Sequence, residues 1–528
     1  MYNKLQLLDC THRDGGDIND WNFGHSTIVN IFERQVSSNV DVIEIGFIDD
    51  RRKFDINRTI QPDTASFDRI FKNLNHGGSM LVAMIDYGTC SIDNISECGE
   101  SCLDGIRVIF KKEKMQQAID YCKQIKAKGY KVFVQAVSIT SYSDNELERL
   151  VSLVNDCAPY AMSMVDTYGL LDSTMLLHII SVIDPILNDD IMLGFHAHNN
   201  FQLGFSNAVT VLNSGIARGI LVDGSLYGMG KSAGNAPIEL IAMYMNEHCG
   251  KHYNIDQVQE AIATGLLDIF IVEPWGYTLF YYIAASNGCH PNYVSYLINK
   301  RTLSITAVNE ILQMIPKELK LEKDTDMLER LYLDYQDRMC NDKIPLEKLR
   351  NQFSNKGIVA LGPGSSINSK ASVIKDYINK TGSIVISVNY IPENIKPNYL
   401  FLTNSLRYRQ MSSQLQGISE ISIIATSNVT KTGGNFDYVL NYSGLMDRSS
   451  LVPDNSLLMM VKLLESLGVK SVSLAGFDGY SASEINYFQS GMEYEFAIKH
   501  AEELNAYVKK KFAEAKIDIK FVTESKYQ

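Results

Sequence analysis

Between Leu5 and Asp223 a short apolar run recurs eight times, each followed by a longer amphipathic stretch. The runs are Leu5–Asp9, Val40–Gly46, Met80–Ile85, Gly105–Ile109, Tyr130–Val137, Ala161–Val165, Ile191–His196 and Gly219–Asp223. Buried parallel strands read as such runs, and amphipathic crossovers between them imply β/α units. Eight units within about 250 residues is the complement of a closed (β/α)8 barrel, whose active site gathers at the C-terminal strand ends. An open doubly wound sheet is the competing fold. Polar residues follow almost every run, which favours the barrel.

The chain has 528 residues, more than one barrel requires. From Ile255 to about Arg350 the alternation stops and helical patterns such as Leu328-Glu329-Arg330-Leu331-Tyr332-Leu333 take over. The polar run Asn351-Gln352-Phe353-Ser354-Asn355-Lys356-Gly357 reads as a linker. Beyond it, seven apolar runs at Ile358–Leu361, Ile384–Val388, Tyr399–Leu402, Ile421–Ala425, Tyr438–Asn441, Val472–Ala475 and Ile517–Val522 predict an open, Rossmann-like α/β domain. The expected division is a TIM barrel over 1–290, a helical appendage over 291–350 and the second α/β domain over 351–528. All nine cysteines lie between Cys10 and Cys340, and nine of the ten histidines lie at or before His290, so chemistry-bearing residues concentrate in the first region.

A net charge of −12 implies no broad basic surface, which argues against nucleic acid or an acidic membrane face as partner. Any anionic ligand then needs a local basic or backbone site. No run reaches the roughly 18 apolar residues of a membrane span, and no signal-like segment precedes Leu5, so a cytoplasmic protein with reduced thiols is expected. A homo-oligomer is the expected assembly.

His196-Ala197-His198 closes an apolar run, and residues i and i+2 of a strand point to the same side, so both imidazoles can reach one ion. A pair bonded within a loop is the blander alternative. The first run ends in Asp9-Cys10-Thr11-His12-Arg13-Asp14-Gly15-Gly16, where a barrel places its site. Asp14 could complete a three-ligand set with open positions, suited to a divalent ion that also holds substrate oxygens. Arg13 would stabilise developing negative charge; a surface turn with an ordinary ion pair is the alternative. Glu44, in the second run, is a buried acid that needs a partner, and Arg13 is the obvious one. The glycine-rich Val222–Asn235 segment could cradle a phosphate but lacks the P-loop spacing.

Together, Asp9–Gly16, Glu44, His196-Ala197-His198-Asn199-Asn200 and Gly228-Met229-Gly230-Lys231-Ser232-Ala233-Gly234-Asn235 resemble the DRE-TIM metallolyase family, and within it the 4-hydroxy-2-oxovalerate aldolase subgroup, over roughly residues 1–300. The resemblance implies a divalent metal (Mn, Mg or Zn) held by Asp14, His196 and His198, with Asn235 completing or supporting the shell. It implies that the metal chelates a 2-oxo acid, that Arg13 steadies the enolate, and that the reaction is a reversible aldol cleavage giving pyruvate or a similar enolate plus an aldehyde. Two alternatives stand beside it: a Claisen-type acyltransferase joining acetyl-CoA to a 2-oxo acid, and a non-catalytic scaffold.

The pattern departs from the family at the general base, where the family's histidine is replaced by Asp17. His12 stands where the family has an apolar residue, and is either a substitute base or a packed histidine. Trp275-Gly276-Tyr277-Thr278-Leu279-Phe280-Tyr281 resembles the segment that brings a tyrosine over the substrate, leaving Tyr277 and Tyr281 as candidates and core packing as the alternative. In the last domain, Gly362-Pro363-Gly364-Ser365-Ser366 is a turn that could hold a phosphate, without the spacing or acid of an NAD site. With Gly476-Phe477-Asp478-Gly479 it is faintly similar to sialyltransferase-like enzymes, which would imply a nucleotide-sugar or phosphate ligand; a docking domain with an ordinary glycine turn is the alternative.

Overall fold

The computed structural model describes residues 5–300, 303–322, 324–415, 420–429, 436–483, 485–488, 492 and 495–528. The chain divides into two compact units, Met1–Pro291 and Asn292–Gln528.

In the first unit, β1 (Leu5–Asp9), β2 (Val42–Ile48), β4 (Met80–Asp86), β5 (Gly105–Phe110), β6 (Lys131–Ala136), β7 (Ala161–Asp166), β8 (Met192–Ala197) and β9 (Ile220–Gly224) pair in that order, all parallel. β1 pairs with both β2 and β9, which closes the ring. The eight expected strands are therefore the eight staves of a TIM barrel. A two-residue strand, β3 (Ile60–Gln61), adds to β2 from outside the ring, too short to leave a periodic signal.

The barrel interior is layered by the two-residue period of its strands. Leu8, Cys10, Val42, Val82, Phe133, Ala161 and Leu221 form an apolar plug. One inward step further along four of these strands stand Glu44, Gln135, Ser163 and Asp223, and Arg107 of β5 joins them, all buried. A larger apolar core lies between the strands and the surrounding helices, where Ile28, Phe32, Phe67, Ile119 and Leu150 are among the buried side chains.

The second unit begins with helices, including Ile305–Gln313, Thr325–Met339 and Lys343–Phe353. The predicted linker is only partly one: Asn351, Gln352 and Phe353 complete a helix, and Phe353 is buried with its ring 4.9 Å from Tyr399. Its apolar ring wins over the polar context of its neighbours. The sheet that follows contains β10 (Ile358–Leu361), β11 (Ile384–Val388), β12 (Tyr399–Leu402), β13 (Ser422–Thr426), β14 (Tyr438–Leu440), β15 (Ser471–Ala475) and β16 (Asp518–Phe521). All are parallel, in the order β14-β13-β12-β11-β10-β15-β16. The order reverses between β10 and β15, the place where open α/β sheets form a ligand crevice.

The glycine turn lies at this reversal. A Cβ on Gly364 would lie 2.5 Å from the Gly476 carbonyl and 2.6 Å from the Asp478 carboxylate, so only glycine fits. Asp478 accepts the Ser366 N–H at 2.8 Å and the Ser365 hydroxyl at 3.2 Å, and is also bonded by the Ser366 hydroxyl. The chain's own carboxylate thus sits at the amide that would greet a phosphate. Among the described residues no helix is long and apolar enough to cross a membrane.

Candidate metal centre

After β1 the chain makes a single helical turn, Thr11–Asp14, in which the Cys10 carbonyl accepts the N–H groups of Arg13 and Asp14. Asp9 accepts the Thr11 N–H at 2.8 Å, and the Thr11 hydroxyl accepts the Leu226 N–H at 2.8 Å, fixing the turn to the loop after β9. Gly15 and Gly16 permit close packing: a Cβ on Gly16 would collide with the Trp21 indole, whose N–H donates to the Arg13 carbonyl at 2.7 Å. Arg13 and Asp14 are thereby held inside the barrel mouth, both buried.

His196 lies near the end of β8 and His198 just beyond it, their ring centroids 5.1 Å apart. One potential ligand atom each from Asp14, His196 and His198 lie within 4.8 Å of one another, with all three residues buried. Among the described residues this is the cluster of acid, imidazole and thiol groups with that spacing. The donor set fits a divalent cation. The Nδ1 of His196 is 3.0 Å from Asp223 Oδ2, which leaves Nε2 as its ligand atom. Buried atoms without hydrogen-bond partners include His198 Nδ1 and Asn235 Oδ1. An orphaned imidazole nitrogen and an orphaned amide oxygen at one place are costly unless something binds there.

Asn235 is brought in by an isolated backbone bridge to His198, and its amide donates to Asp14 Oδ2 at 2.6 Å and to the Met229 carbonyl at 3.2 Å. It supports the acid and still presents its free oxygen. The sequence pairing of Arg13 with Glu44 is present, Nε to Oε2 at 2.8 Å, and Arg13 also pairs with Asp14. Glu44 has a second partner that sequence reasoning passed over. Arg107, wholly buried in β5, lies 2.9 Å from Glu44, donates to Gln135 at 3.0 Å, and pairs with Asp223. A ladder Arg13–Glu44–Arg107–Asp223–His196 therefore links the Arg13 guanidinium to the His196 imidazole. The available signal was an arginine inside the apolar run Gly105-Ile106-Arg107-Val108-Ile109, since a buried charge demands partners.

The electrostatics follow this ladder. Burial alone would raise the Asp14 carboxyl, but Arg13, His198 and His196 outweigh it and hold it well below the usual range. Burial would likewise raise Asp223, and Arg107 and His196 more than offset it, keeping it ionised. Burial pushes His198 down to about 4, so its ring is neutral at physiological pH and free to bind a cation. Burial opposes the charge of Arg13, yet Glu44 and Asp14 raise it further, so its positive charge is permanent.

The remaining candidates separate clearly. His12 is wholly buried, edge-on to Phe23 at 5.8 Å and Phe71 at 6.4 Å, with neither ring nitrogen hydrogen-bonded. Burial pushes it down to about 4. Of the two expectations for His12, the aromatic contacts favour the packed histidine over the substitute base. Asp17 is exposed on the short helix Gly16–Asn19 directly after Asp14. Tyr277 is 53% exposed and Tyr281 half-buried, on the segment that Trp275 anchors by donating to the Tyr227 carbonyl at 2.8 Å.

A closed parallel barrel with a carboxylate, two imidazoles and a clamped arginine at its C-terminal mouth is the layout of a metal-centred barrel enzyme. Residues 4–264 match the family model described as HMGL-like, and the barrel is an HMGL-like domain of the DRE-TIM kind. The chain is 27% identical over 241 residues to 4-hydroxy-2-oxovalerate aldolase 2 of Salinispora arenicola, covering 45% of this chain and 68% of that protein. A second such aldolase, from Nocardia farcinica, matches at 36% identity but over 19% of this chain and 29% of its own length. Homocitrate synthase of Pyrococcus abyssi is 30% identical over 145 residues, 27% of this chain and 38% of that protein. Among solved structures, the HMG-CoA lyase from Brucella melitensis aligns at 12% identity with a TM-score of 0.40, over 48% of this chain and 95% of that one.

Proposed function

We propose that the barrel is a divalent-metal-dependent carbon–carbon lyase that cleaves or forms a bond of a 2-oxo acid, releasing pyruvate or a similar 2-oxo acid and an aldehyde. The observation that carries this reading is the buried Asp14, His196 and His198 cluster beside the clamped Arg13. A divalent cation, when bound, supplies Lewis acidity toward the carboxylate and keto oxygens of such a substrate.

The protein's own groups do the rest. Asp14, His196 and His198 hold the cation, with Asn235 Oδ1 available as a further donor. Arg13 is kept charged and oriented by Glu44 and Asp14, so its guanidinium can stabilise the enolate oxyanion that appears as the bond breaks. Asp223 fixes the His196 tautomer, and Arg107 holds Asp223 and Glu44 at the spacing the ladder requires. Proton transfer falls to Asp17, the candidate base that faces solvent next to the site, and Tyr277 covers the substrate from the segment anchored by Trp275.

The test is pyruvate release from a 4-hydroxy-2-oxo acid, with and without chelator, and exchange of pyruvate methyl protons in D2O. Metal-dependent release and exchange are expected; indifference to chelator and to His196→Ala would leave the scaffold alternative. The homocitrate synthase match favours one second reading, a Claisen condensation of acetyl-CoA with a 2-oxo acid, which acetyl-CoA-dependent thiol release would reveal. For the second unit, Asp478 puts negative charge where a phosphate would approach, so the hydroxyl-bearing part of a nucleotide sugar is the better occupant of the β10/β15 crevice. Saturation-transfer NMR with a nucleotide sugar and with inorganic phosphate separates the two.

A further inference from the structure

We infer that the carbonyl partner of the 2-oxo acid carries its own anionic group, a carboxylate or a phosphate, and that Lys231 receives it at the barrel mouth. This deepens the lyase reading and rests on it.

Lys231 is placed by its neighbours rather than by chance. Gly230 passes so close to the metal centre that a Cβ there would collide with the Asn235 amide and lie 2.6 Å from Asp14 Oδ2. Lys231 therefore follows directly on a backbone position packed against the Asp14 carboxylate. The loop is pinned on its far side as well: the Lys231 carbonyl accepts the Gly234 N–H at 3.0 Å, Asn200 accepts the Ala233 N–H at 3.1 Å, and Ser232 takes a left-handed φ of 60° to close the turn.

The lysine is exposed, and among the described residues its ammonium has no hydrogen-bond or ion-pair partner. His198 and Asp86 both lie within its electrostatic reach, which sets it between the imidazole side of the centre and the end of β4. The other cations near Asp86 are differently committed: Arg51 is bound at two points by Asp49, and Lys111 has an interaction of its own.

Within the ladder, Asp14, Glu44 and Asp223 face Arg13 and Arg107, and Lys231 takes part in none of its ion pairs. In a chain of net charge −12, an exposed lysine one residue beyond Gly230, beside the Asp14, His196 and His198 group, answers the need for a local basic site for an anionic ligand. The part of the substrate that projects outward from the centre is the aldehyde portion. In the condensation direction, C3 of the enolate bonds to the aldehyde carbon while the carbonyl π pair moves to its oxygen. That oxygen takes up a proton equivalent to the one lost from C3, so no redox partner is involved.

The experiment measures KM and kcat for condensation of pyruvate with a neutral aldehyde (propanal), a carboxylated one (succinic semialdehyde) and a phosphorylated one (glyceraldehyde 3-phosphate). It does so for the wild type, Lys231→Gln, Lys231→Arg and Lys231→Glu. The expected result is a KM rise of about two- to fivefold in Lys231→Gln for one of the two anionic aldehydes, shrinking at high salt, with the propanal KM unchanged. Arg restores the preference and Glu inverts it. Comparison of the two anionic arms identifies carboxylate or phosphate. Equal KM changes for neutral and anionic aldehydes, or none, overturn the inference while pyruvate methyl exchange in the wild type still stands. Loss of that exchange in the wild type overturns the lyase reading, and this inference with it.

Discussion

At the mouth of the barrel, Arg13, Asp14, Glu44, Arg107 and Asp223 place five ionised side chains in one buried ladder. At the C-terminal strand ends of the second sheet the buried polar groups are mostly neutral. Asn389 donates to Thr403 at 2.9 Å and to Ser456 at 2.7 Å, and Asn428 donates to the Thr403 carbonyl at 2.9 Å. Both arrangements satisfy buried polar atoms, but they differ in cost. Ionised groups are expensive to desolvate and worth keeping where charge develops during a reaction, whereas amide and hydroxyl networks fix loops at little penalty. The contrast places the costly buried charges in the barrel, where the HMGL-like match lies.

The sharpest way to break this contrast is to remove one charged ligand and one crevice carboxylate in parallel. His196→Ala is expected to lower turnover by on the order of 10³-fold or more and to abolish stoichiometric metal uptake. Asp478→Ala, which frees the Ser366 N–H and both serine hydroxyls, is expected to leave turnover within about twofold and to destabilise its own unit by about 1–3 kcal/mol. Steady-state assays, metal analysis and thermal melts read these outcomes. Comparable activity losses in the two variants would erase the distinction.

The ladder itself is tested by Arg107→Met, which leaves Glu44 to Arg13 alone and Asp223 with the His196 imidazole as its remaining partner in the ladder. A loss of about 3–5 kcal/mol in the denaturant stability of the barrel is expected. Next comes Asp9, whose carboxyl is pushed by burial up to about 6 from 3.8 and has one oxygen without a partner. Between those values the folded chain holds a proton that the unfolded chain has released, so this group's contribution to stability falls as pH rises through the window. In Asp9→Asn that slope is absent. Relative to the wild type the variant should gain about 2 kcal/mol between pH 4 and pH 7 in urea unfolding. The smallest effect is expected for His12→Phe, which keeps an aromatic ring between Phe23 and Phe71: turnover within about threefold. A large loss would return His12 to the list of bases.

Much of this architecture is legible in the order of the amino acids. Eight apolar runs are the eight staves, because strands buried on both faces are continuous in sequence. The seven later runs are likewise the seven strands of the second sheet. Asp14, His196 and His198 are legible because their spacing marks strand ends and their chemistry is shared by few other groups. Arg107 is only half legible: its apolar neighbours mark a buried charge, but nothing local names Glu44 and Asp223 as its partners. Asp223 is visible but mute, for its role depends on His196 being a neighbour in space 27 positions away. Asp478 shows the converse: Gly362-Pro363-Gly364-Ser365-Ser366 promises an anion cradle, and the carboxylate at its amide comes from a different strand end.

The most direct measurement is the anomalous diffraction signal of Mn2+ in crystals grown with pyruvate. The account requires one strong peak about 2.0–2.3 Å from an Asp14 oxygen, His196 Nε2 and a nitrogen of His198, with the pyruvate carboxylate and keto oxygens filling open positions. A peak elsewhere, for example among Asp49, Asp50 and Asp86, or no peak at all at saturating metal, would contradict it.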